Sequence, residues 1–571
     1  MKKLVVVFLV LVAVAVAAAG AGILLSRGGR TLGGPTVLVW RLDRTILEQA
    51  PTSGFPFAAG ATLDSMAQLY PALRAARADD GVKGLAVYIQ GADFGLAKAQ
   101  EFRRQLAALR QAGKFVECYL ETAGEGSNGT LAYYLASACE RIHLAPAGDL
   151  NLLGLFADSV FLRGALEKLK IDPAFSSVGR YKSAVETFTQ TEHSPEAEEA
   201  MNAVLDGFYG QLVAGIAAAR RLPPAEVRRL IDGAPYSAPE ALRLKLIDAL
   251  AYPDQFRDRI EERAGGEPRL VRLQDYDGRG NPFAGKTIAV VFALGTIVRG
   301  HGGIEPWTQE VFLGSESLAE ILSDLSDDDG VAAVVLRVDS PGGSALASDL
   351  ILRQVELLAR EKPVVVSMSD VAASGGYYIA AKAHKIVAEP ATLTGSIGVF
   401  GGKLVTRRLQ EEHLGVTHDT LKRGANADIY TTLAPFSAAQ QARVDAGMRR
   451  VYDTFIGHVA RGRKLSPREV EAVAQGRVWT GEEARRRRLV DELGGFDRAL
   501  ELARAEAGIA AGAAVRLAFY PEPASFWDLL FDGEEEPLLP SSLVRLLRAL
   551  EPPAAGALEL PREIARLARP F

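Results

Sequence analysis

Residues 331–368 read VAAVVLRVDSPGGSALASDLILRQVELLAREKPVVVSM, and this stretch decides the fold class. It begins with a β-branched, apolar run over 331–338 that is typical of a buried central strand. Residues 346–360 then place apolar side chains at helical spacing, and residues 363–368 form a second apolar run. A strand, a helix and a strand in this order favour parallel pairing. The sequence therefore predicts an α/β fold, continued by a helix over 375–383.

The same pattern occurs twice in the chain. TVLV at 36–39 recurs as TIAV at 287–290, and YYLA at 133–136 recurs as YYIA at 377–380. The offset between equivalent residues stays near 243 to 251. Such self-similarity predicts two copies of one domain, and we place them at 36–262 and 287–507. We expect the tail at 510–571 to be a docking or oligomer segment, with a membrane-surface helix as the alternative.

The composition excludes several classes of protein. The 571 residues carry a net charge of -5 and 48% hydrophobic residues, which are ordinary values for a globular protein. No basic surface for nucleic acid is indicated, so we expect no nucleic-acid partner. The 2 cysteines, Cys118 and Cys139, are too few for a disulfide framework or a four-ligand zinc site. We expect neither a metal nor a cofactor.

The N-terminus predicts a membrane anchor. Residues 4–25 are all apolar or small, and they lie between Lys2-Lys3 and Arg27. As a helix, about 22 residues would be roughly 33 Å long, enough to cross a hydrocarbon core of ~30 Å. A cleavable signal peptide is the alternative, although its apolar region usually has only about 7–15 residues. We predict a transmembrane anchor and linker over 1–30, with the rest of the chain on the outer, periplasm-like side.

One serine stands at a turn suited to a nucleophile. Ser374 follows a predicted strand and opens a helix in ASGGYY, while SPGG at 340–343 follows the preceding strand. A hydroxyl at this corner lies beside free backbone N–H groups and the positive end of the helix. The glycine pair before the other helix could add a second N–H and complete an oxyanion hole. The alternative is that Ser374 only caps its helix.

A serine nucleophile needs a base, and histidine does not fit. The chain has 7 histidines, and His384 is 10 residues beyond Ser374 on the same predicted helix, some 15 Å along the axis. The other six lie in segments without an accompanying Asp/Gly constellation: His143, His193, His301, His413, His418 and His458. A lysine can serve instead if burial lowers its pKa.

Four motifs carry a resemblance to a known family. The sequence closely resembles the long, duplicated form of the signal peptide peptidase A family, also called protease IV, through GRYKSAVE at 179–186, SPGG at 340–343, ASGGYY at 373–378 and TGSIG at 394–398. The resemblance covers nearly the whole chain. It implies two tandem ClpP/crotonase-like repeats, a Ser/Lys peptidase mechanism and a homotetramer whose active sites face an enclosed bowl.

The resemblance also implies a role for individual residues. Ser374 would be the nucleophile and Lys182 the general base, with Ser396 supporting the lysine. The N–H groups of Gly375 and Gly343 would form the oxyanion hole. The implied substrates are remnant signal peptides and short apolar peptides, and the implied location is the bacterial inner membrane, with a single span and periplasmic catalytic domains.

The repeats themselves support a divided site. Thr130 stands in the first repeat where the second has Ser374, and Asn426 stands in the second where the first has Lys182. The first repeat therefore carries the base and the second carries the nucleophile. Two other functions remain open from the sequence: an inactive scaffold that binds peptides, and a crotonase-like enzyme acting on acyl-CoA thioesters.

Overall fold

The computed structural model describes residues 35–42, 45–49, 64–278, 285–305, 308 and 310–522. It confirms the predicted α/β class, with two units of similar construction. The strands of the first unit are β1 (Thr36–Leu42), β2 (Val82–Ile89), β3 (Phe115–Leu120), β4 (Arg141–Leu144), β5 (Asp149–Leu150), β6 (Asp172–Val178), β7 (Tyr236–Ser237), β8 (Ala249–Leu250) and β9 (Arg269–Arg272). Its helices are α1 (Met66–Ala78), α2 (Leu96–Gln111), α3 (Thr130–Ala136), α4 (Arg163–Lys168), α5 (Glu186–Thr189), α6 (Pro195–Arg220), α7 (Pro224–Asp232), α8 (Ala238–Arg243) and α9 (Pro253–Ala264).

The second unit repeats this order with additions. Its strands are β10 (Lys286–Leu294), β11 (Thr296–Val298), β12 (Gly303–Ile304), β13 (Val311–Gly314), β14 (Val331–Ser340), β15 (Val364–Ala373), β16 (Lys385–Ala388), β17 (Leu393–Gly395), β18 (Val399–Val405), β19 (Val478–Thr480), β20 (Glu492–Leu493) and β21 (Val515–Tyr520). Its helices are α10 (Ser315–Asp327), α11 (Ala345–Glu361), α12 (Gly375–Ala380), α13 (Ala438–Arg463), α14 (Pro467–Val473), α15 (Gly481–Arg486) and α16 (Phe496–Glu506).

Each unit is built on a central sheet. The first sheet has the order β8-β4-β3-β2-β1-β9, and all its pairs are parallel. The second has the path β19-β17-β15-β14-β10-β21, with β16 and β20 attached beside β15. Of these pairs only β17 with β19 is antiparallel, among the residues that the structure describes. Parallel pairing explains the near-continuous apolar runs of the central strands, because helices cover both faces.

Strand β14 shows how the sequence pattern produces this core. Val334, Leu336 and Val338 pack on one face of the sheet, in the same cluster as residues of α11. Ala333 and Val335 point to the other face and pack with residues of α16. Alternate side chains of a strand face opposite sides, so a strand between two helical layers must be apolar at nearly every position.

A short ribbon joins the two units. Strand β18 of the second unit pairs antiparallel with β6 of the first, in a register that sets Val399 opposite Val178 and Val405 opposite Asp172. The ribbon leads directly into residues 179–182 on one strand and comes from residues 396–398 on the other. It therefore brings the lysine motif of the first repeat to the second.

The sheets extend further along the chain than the predicted domain limits. Strand β9 lies beyond residue 262, and β21 lies beyond residue 507 within the predicted tail. Each strand adds in parallel to the first strand of its own repeat, β1 or β10. The predicted helix over 375–383 is also shorter, since α12 ends at Ala380 and the chain turns so that the His384 N–H donates to Val364 O.

In the part of the chain that the structure describes, no helix combines the length and apolarity needed to span a membrane. The predicted anchor at residues 4–25 lies outside the described residues, as does the tail beyond 522.

Candidate active site

Ser374 occupies the turn between β15 and α12 in an uncommon backbone conformation. Its φ is 52° and its ψ is -116°, values that few residues other than glycine adopt. The Ser374 N–H donates to Gly395 O at 2.9 Å, which fixes the turn against β17. Its hydroxyl makes no capping hydrogen bond to the helix. The hydroxyl is thus held away from the capping position, and strain of this kind is concentrated at functional sites.

Lys182 reaches this hydroxyl from the first repeat. Lys182 comes shortly after strand β6 in the sequence, and its Nζ lies 3.2 Å from Ser374 Oγ. Nζ also donates to Ser396 Oγ at 2.9 Å and to Ser396 O at 3.1 Å. The two residues predicted from opposite repeats therefore meet within one chain.

The surroundings of Lys182 favour a neutral amine. The residue is 7% exposed, and within the described ranges no carboxylate forms an ion pair with it. Burial without a counter-charge disfavours the ammonium form, and it lowers the pKa of Lys182 from 10.5 to about 8. About a tenth of such an amine is neutral at pH 7. A lysine with this pKa can accept a proton near physiological pH.

Ser396 holds the amine from the far side. It follows β17 with a φ of 49°, and its N–H donates to Arg477 O at 2.8 Å. Both its hydroxyl and its carbonyl oxygen accept from Lys182 Nζ. With Ser374, these contacts give Nζ three oxygen partners and fix its direction.

Two glycine turns meet beside Ser374. Gly342 has a φ of 99°, and a β-carbon added there would lie 2.5 Å from Gly375 N. A β-carbon added at Gly375 would in turn lie 3.2 Å from Gly343 N. Neither the Gly343 nor the Gly375 N–H donates to another group in the described part of the chain. Two free donors side by side next to a serine hydroxyl can bind a developing oxyanion.

The turn of SPGG is held by the first strands of its own unit. Ser340 Oγ accepts from Gly342 N at 3.1 Å and donates to Gly295 O at 2.6 Å. Ile297 N donates to Gly342 O, and Ile297 O accepts from Ser344 N. The N–H of Gly343 thus has a fixed direction before any ligand arrives.

The lysine loop is held by residues that no sequence motif indicates. Gln475 O accepts from Tyr181 N at 2.7 Å, and Gln475 Oε1 accepts from Arg180 N at 3.1 Å. The Arg477 guanidinium lies over the ring of Tyr181, at 4.7 Å, and pairs with Glu199. These contacts join residues almost 300 positions apart, and no local spacing marks them.

Comparison with known proteins places the chain in a family. The profile described as peptidase family S49 matches twice, over residues 109–266 and 356–510. A chloroplastic serine protease named SPPA from Arabidopsis thaliana is 33% identical over 471 residues, which cover 81% of this chain and 68% of that one. Protease 4 of Salmonella typhi is 33% identical over 509 residues, covering 85% and 79% of the two chains.

A third relative supports the same family, whereas one solved structure does not bear on the assignment. Protease 4 of Haemophilus influenzae is 33% identical over 456 residues, covering 76% of this chain and 71% of its own. A structure of a membrane-bound stomatin-specific protease aligns at 15% identity over 42% of this chain and 100% of its own, with a TM-score of 0.26, too low to carry an argument. The two matched repeats and the relatives at 33% identity establish the family: the chain belongs to peptidase family S49, and it is a serine peptidase.

Proposed function

We propose that this peptidase works by a Ser/Lys dyad, with Ser374 as nucleophile and Lys182 as general base. The observation that carries the proposal is the 3.2 Å separation of Lys182 Nζ and Ser374 Oγ. Only the first repeat supplies the lysine, and only the second supplies the serine. The pKa of Lys182, lowered by burial to about 8, gives the amine a usable neutral fraction.

The reaction then proceeds in two halves. The neutral amine of Lys182 takes the hydroxyl proton of Ser374, and Oγ attacks the peptide carbonyl carbon. The N–H groups of Gly343 and Gly375 receive the oxyanion, and Ser396 orients the lysine. The ammonium gives its proton to the leaving nitrogen as the C–N bond breaks. Water attacks the acyl-enzyme, Lys182 accepts a proton from that water, and the proton returns to Ser374 as the second product leaves.

The proposal also includes a fold type and a class of substrate. We assign both units to the ClpP/crotonase type, because each has a largely parallel central sheet covered by helices. In the second unit, the strand-to-helix turns carry the glycines of the site. We assign remnant signal peptides and short apolar peptides as substrates. The resemblance of the four motifs supports this choice, and so does the 46% exposed ring of Phe400, whose centroid is 6.0 Å from Lys182 Nζ.

We further propose that residues 4–25 anchor the chain in the bacterial inner membrane, with the two repeats on the periplasmic side. The length and apolarity of that segment support the anchor. An anchored peptidase would meet its substrates at the membrane surface, where cleaved signal peptides remain.

Self-association into a homotetramer also belongs to the proposal, and the repeat supplies an argument for it. Strand β18 is equivalent to residues 155–161 of the first unit, and β6 is equivalent to residues 416–422 of the second. Within one chain, neither of these two segments forms a strand, and their residues Phe156 and Leu421 are 89% and 90% exposed. Pairing of 155–161 with 416–422 of a second copy would repeat the ribbon between neighbours and bury both side chains.

One experiment tests the dyad. Hydrolysis of a quenched fluorogenic apolar peptide and labelling by a fluorophosphonate are measured for the full chain in detergent, with Ser374→Ala, Lys182→Ala and Lys403→Ala. We expect the first two variants to lose turnover by roughly 10³-fold or more and the double variant to be little worse than either. Lys403, a lysine of β18 that donates to Ile429 O, is the matched control and should retain turnover. Near-normal turnover in Ser374→Ala or Lys182→Ala would contradict the proposal.

A further inference from the structure

A cluster of buried and half-buried charged side chains lies between the two repeats, close to the strand ends that carry the site. It contains Glu48 and Lys98 of the first unit and Arg337, Asp339 and Asp370 of the second. We call these five residues the inter-repeat ion cluster. The side chains of Lys98 and Glu48 are 6% and 2% exposed, so their charges must be satisfied by the protein.

Lys98 lies at the centre of the cluster. Its Nζ is 3.2 Å from Glu48 Oε1, 3.7 Å from Asp339 Oδ2 and 3.8 Å from Asp370 Oδ2. Burial opposes its charge, but attraction by these three carboxylates outweighs burial and raises the pKa of Lys98. Unlike Lys182, Lys98 therefore remains an ammonium ion, and it bridges two strands of the second unit to the first unit.

The two bridged strands are those that carry the proposed chemistry. Asp339 precedes Ser340 at the end of β14, and the turn with Gly343 follows directly. Asp370 stands in β15, four residues before Ser374. Asp339 Oδ1 also accepts from Val371 N at 3.0 Å, so its carboxylate links the two strand ends to each other.

Asp370 adds a second link to the first unit. Its carboxylate accepts from Gly95 N at 3.0 Å and from Lys98 N at 2.9 Å, both at the N-terminal end of α2. A β-carbon added at Gly95 would lie 2.2 Å from that carboxylate. A residue of the nucleophile strand thus caps a helix of the opposite repeat.

We propose that Lys98 is a positioning residue of the peptidase: its ammonium group bridges Asp339 and Asp370 and thereby holds the glycine turn of Gly343 and the nucleophile strand of Ser374 in their mutual register. This inference rests on the proposed roles of Ser374 and Gly343. Lys98 acts through the two aspartates and does not touch the reacting atoms.

Removal of the ammonium group should disturb the turn more than the fold. Without Lys98, Asp339 and Asp370 become neighbouring carboxylates without their shared cation, and they should move apart or take up a proton. Movement of Asp339 shifts Ser340 and the N–H that follows it. Misplacement of an oxyanion donor lowers kcat while leaving KM largely unchanged, because the interaction matters most in the transition state.

The test compares Lys98→Met with Arg104→Met in the full chain. Arg104 lies on the same helix, α2, and pairs across the repeats with Glu389 at 2.8 Å, but Glu389 follows β16 and not the strands of the site. We expect Lys98→Met to lower kcat at least tenfold with KM within twofold of wild type. Arg104→Met should lower Tm comparably and keep kcat within twofold. Equal losses of kcat in the two variants would overturn the inference.

A second variant, Asp339→Asn, tests the same inference independently and remains informative if Lys98→Met folds poorly. Asp339→Asn keeps an oxygen that can accept from Val371 N but removes the charge that faces Lys98. We expect a threefold or larger decrease in its rate of fluorophosphonate labelling, and the double variant Lys98→Met/Asp339→Asn should be no slower than Lys98→Met. Unchanged labelling of Asp339→Asn, or losses that multiply in the double variant, would overturn the inference.

Ser374→Ala in the same series separates this inference from the proposed function. Activity in Ser374→Ala would overturn the dyad itself. An inactive Ser374→Ala together with wild-type kcat in Lys98→Met would overturn only the role of Lys98.

Discussion

Gly476 of the second repeat lies directly against the backbone of Lys182 of the first: a β-carbon added to Gly476 would stand 2.6 Å from both the amide nitrogen and the β-carbon of Lys182. The contact belongs to the turn at 475–477 that also accepts from Tyr181 N and from Ser396 N. Lys182, the proposed base, can therefore occupy its position only because residue 476 of the opposite repeat is a glycine.

This contact gives a first prediction. Gly476→Ala should lower kcat/KM at least tenfold, because the added methyl group pushes Lys182 away from Ser374. Gly476 also has a φ of 75°, and strain in that region costs roughly 1–3 kcal/mol. Gly265→Ala is the control for strain alone, since its φ is 82° and nothing lies within 4 Å of its added carbon. The prediction fails if the two variants lose activity equally.

The second prediction concerns pH. Since only the neutral amine can accept the serine proton, kcat/KM should rise with pH through the pKa of Lys182, about 8, and then level off. Lys182→Arg should be inactive at every pH because the guanidinium stays charged, and the shorter imidazole of Lys182→His should not restore turnover. If Lys182→Arg were active with the wild-type pH profile, another group would have to accept the proton of Ser374.

A third prediction reverses the usual effect of changing a buried residue. Burial lowers the pKa of Lys182 from 10.5 to about 8. Below about pH 8 the amine is therefore charged in both states, but it is desolvated only in the folded protein. Lys182→Met should therefore raise the free energy of unfolding by about 1–3 kcal/mol at pH 6. The difference from wild type should shrink from about pH 8 to 10.5, where the amine becomes neutral in both states. Urea denaturation at pH 6 and 10 measures both values, and a Lys182→Met variant less stable at pH 6 would contradict the argument.

The fourth prediction concerns assembly. Phe156→Asp and Leu421→Asp should each convert the proposed tetramer to smaller species, because each places a charge in the proposed ribbon between neighbours. Leu242→Asp, at an exposed position of α8, is the control. Analytical ultracentrifugation of the chain in detergent gives the mass of each species. Smaller species should still react with a fluorophosphonate, since Lys182 and Ser374 meet within one chain; a monomeric wild type, or variants that retain its mass, would count against the proposed interface.

Sequence patterns were most informative where local chemistry decides the structure. The run at 331–338 is found in β14 and the helix over 346–360 in α11, because uninterrupted burial and helical spacing are both local signals. The predicted domain limits exclude the edge strands β9 and β21, because short, half-exposed strands carry little periodic pattern. The predicted helix after Ser374 is too long because two buried alanines, Ala381 and Ala383, continue the apolar pattern into the turn that follows α12.

The proposed site was inferred on a different basis. Comparison of the repeats indicated that Lys182 and Ser374 complement each other, and motif resemblance assigned the glycine turns and Ser396. The turn at 475–477 and the inter-repeat ion cluster were not predicted. The turn contacts the lysine loop from a segment almost 300 residues away. The members of the cluster, such as Lys98 and Asp370, also come from distant segments, and each resembles an ordinary surface charge in the sequence.

The ribbon of β6 and β18 has a consequence for the order of events during synthesis. The first repeat, with Lys182, leaves the ribosome long before β18 and the serine strand have been made, because the two members of the proposed dyad are 192 residues apart. Until the second repeat has folded and added its strand to β6, the emerging chain holds a lysine with no serine to activate. With the proposed dyad divided between the two repeats, the chain acquires its proposed active site only when the second repeat has folded against the first.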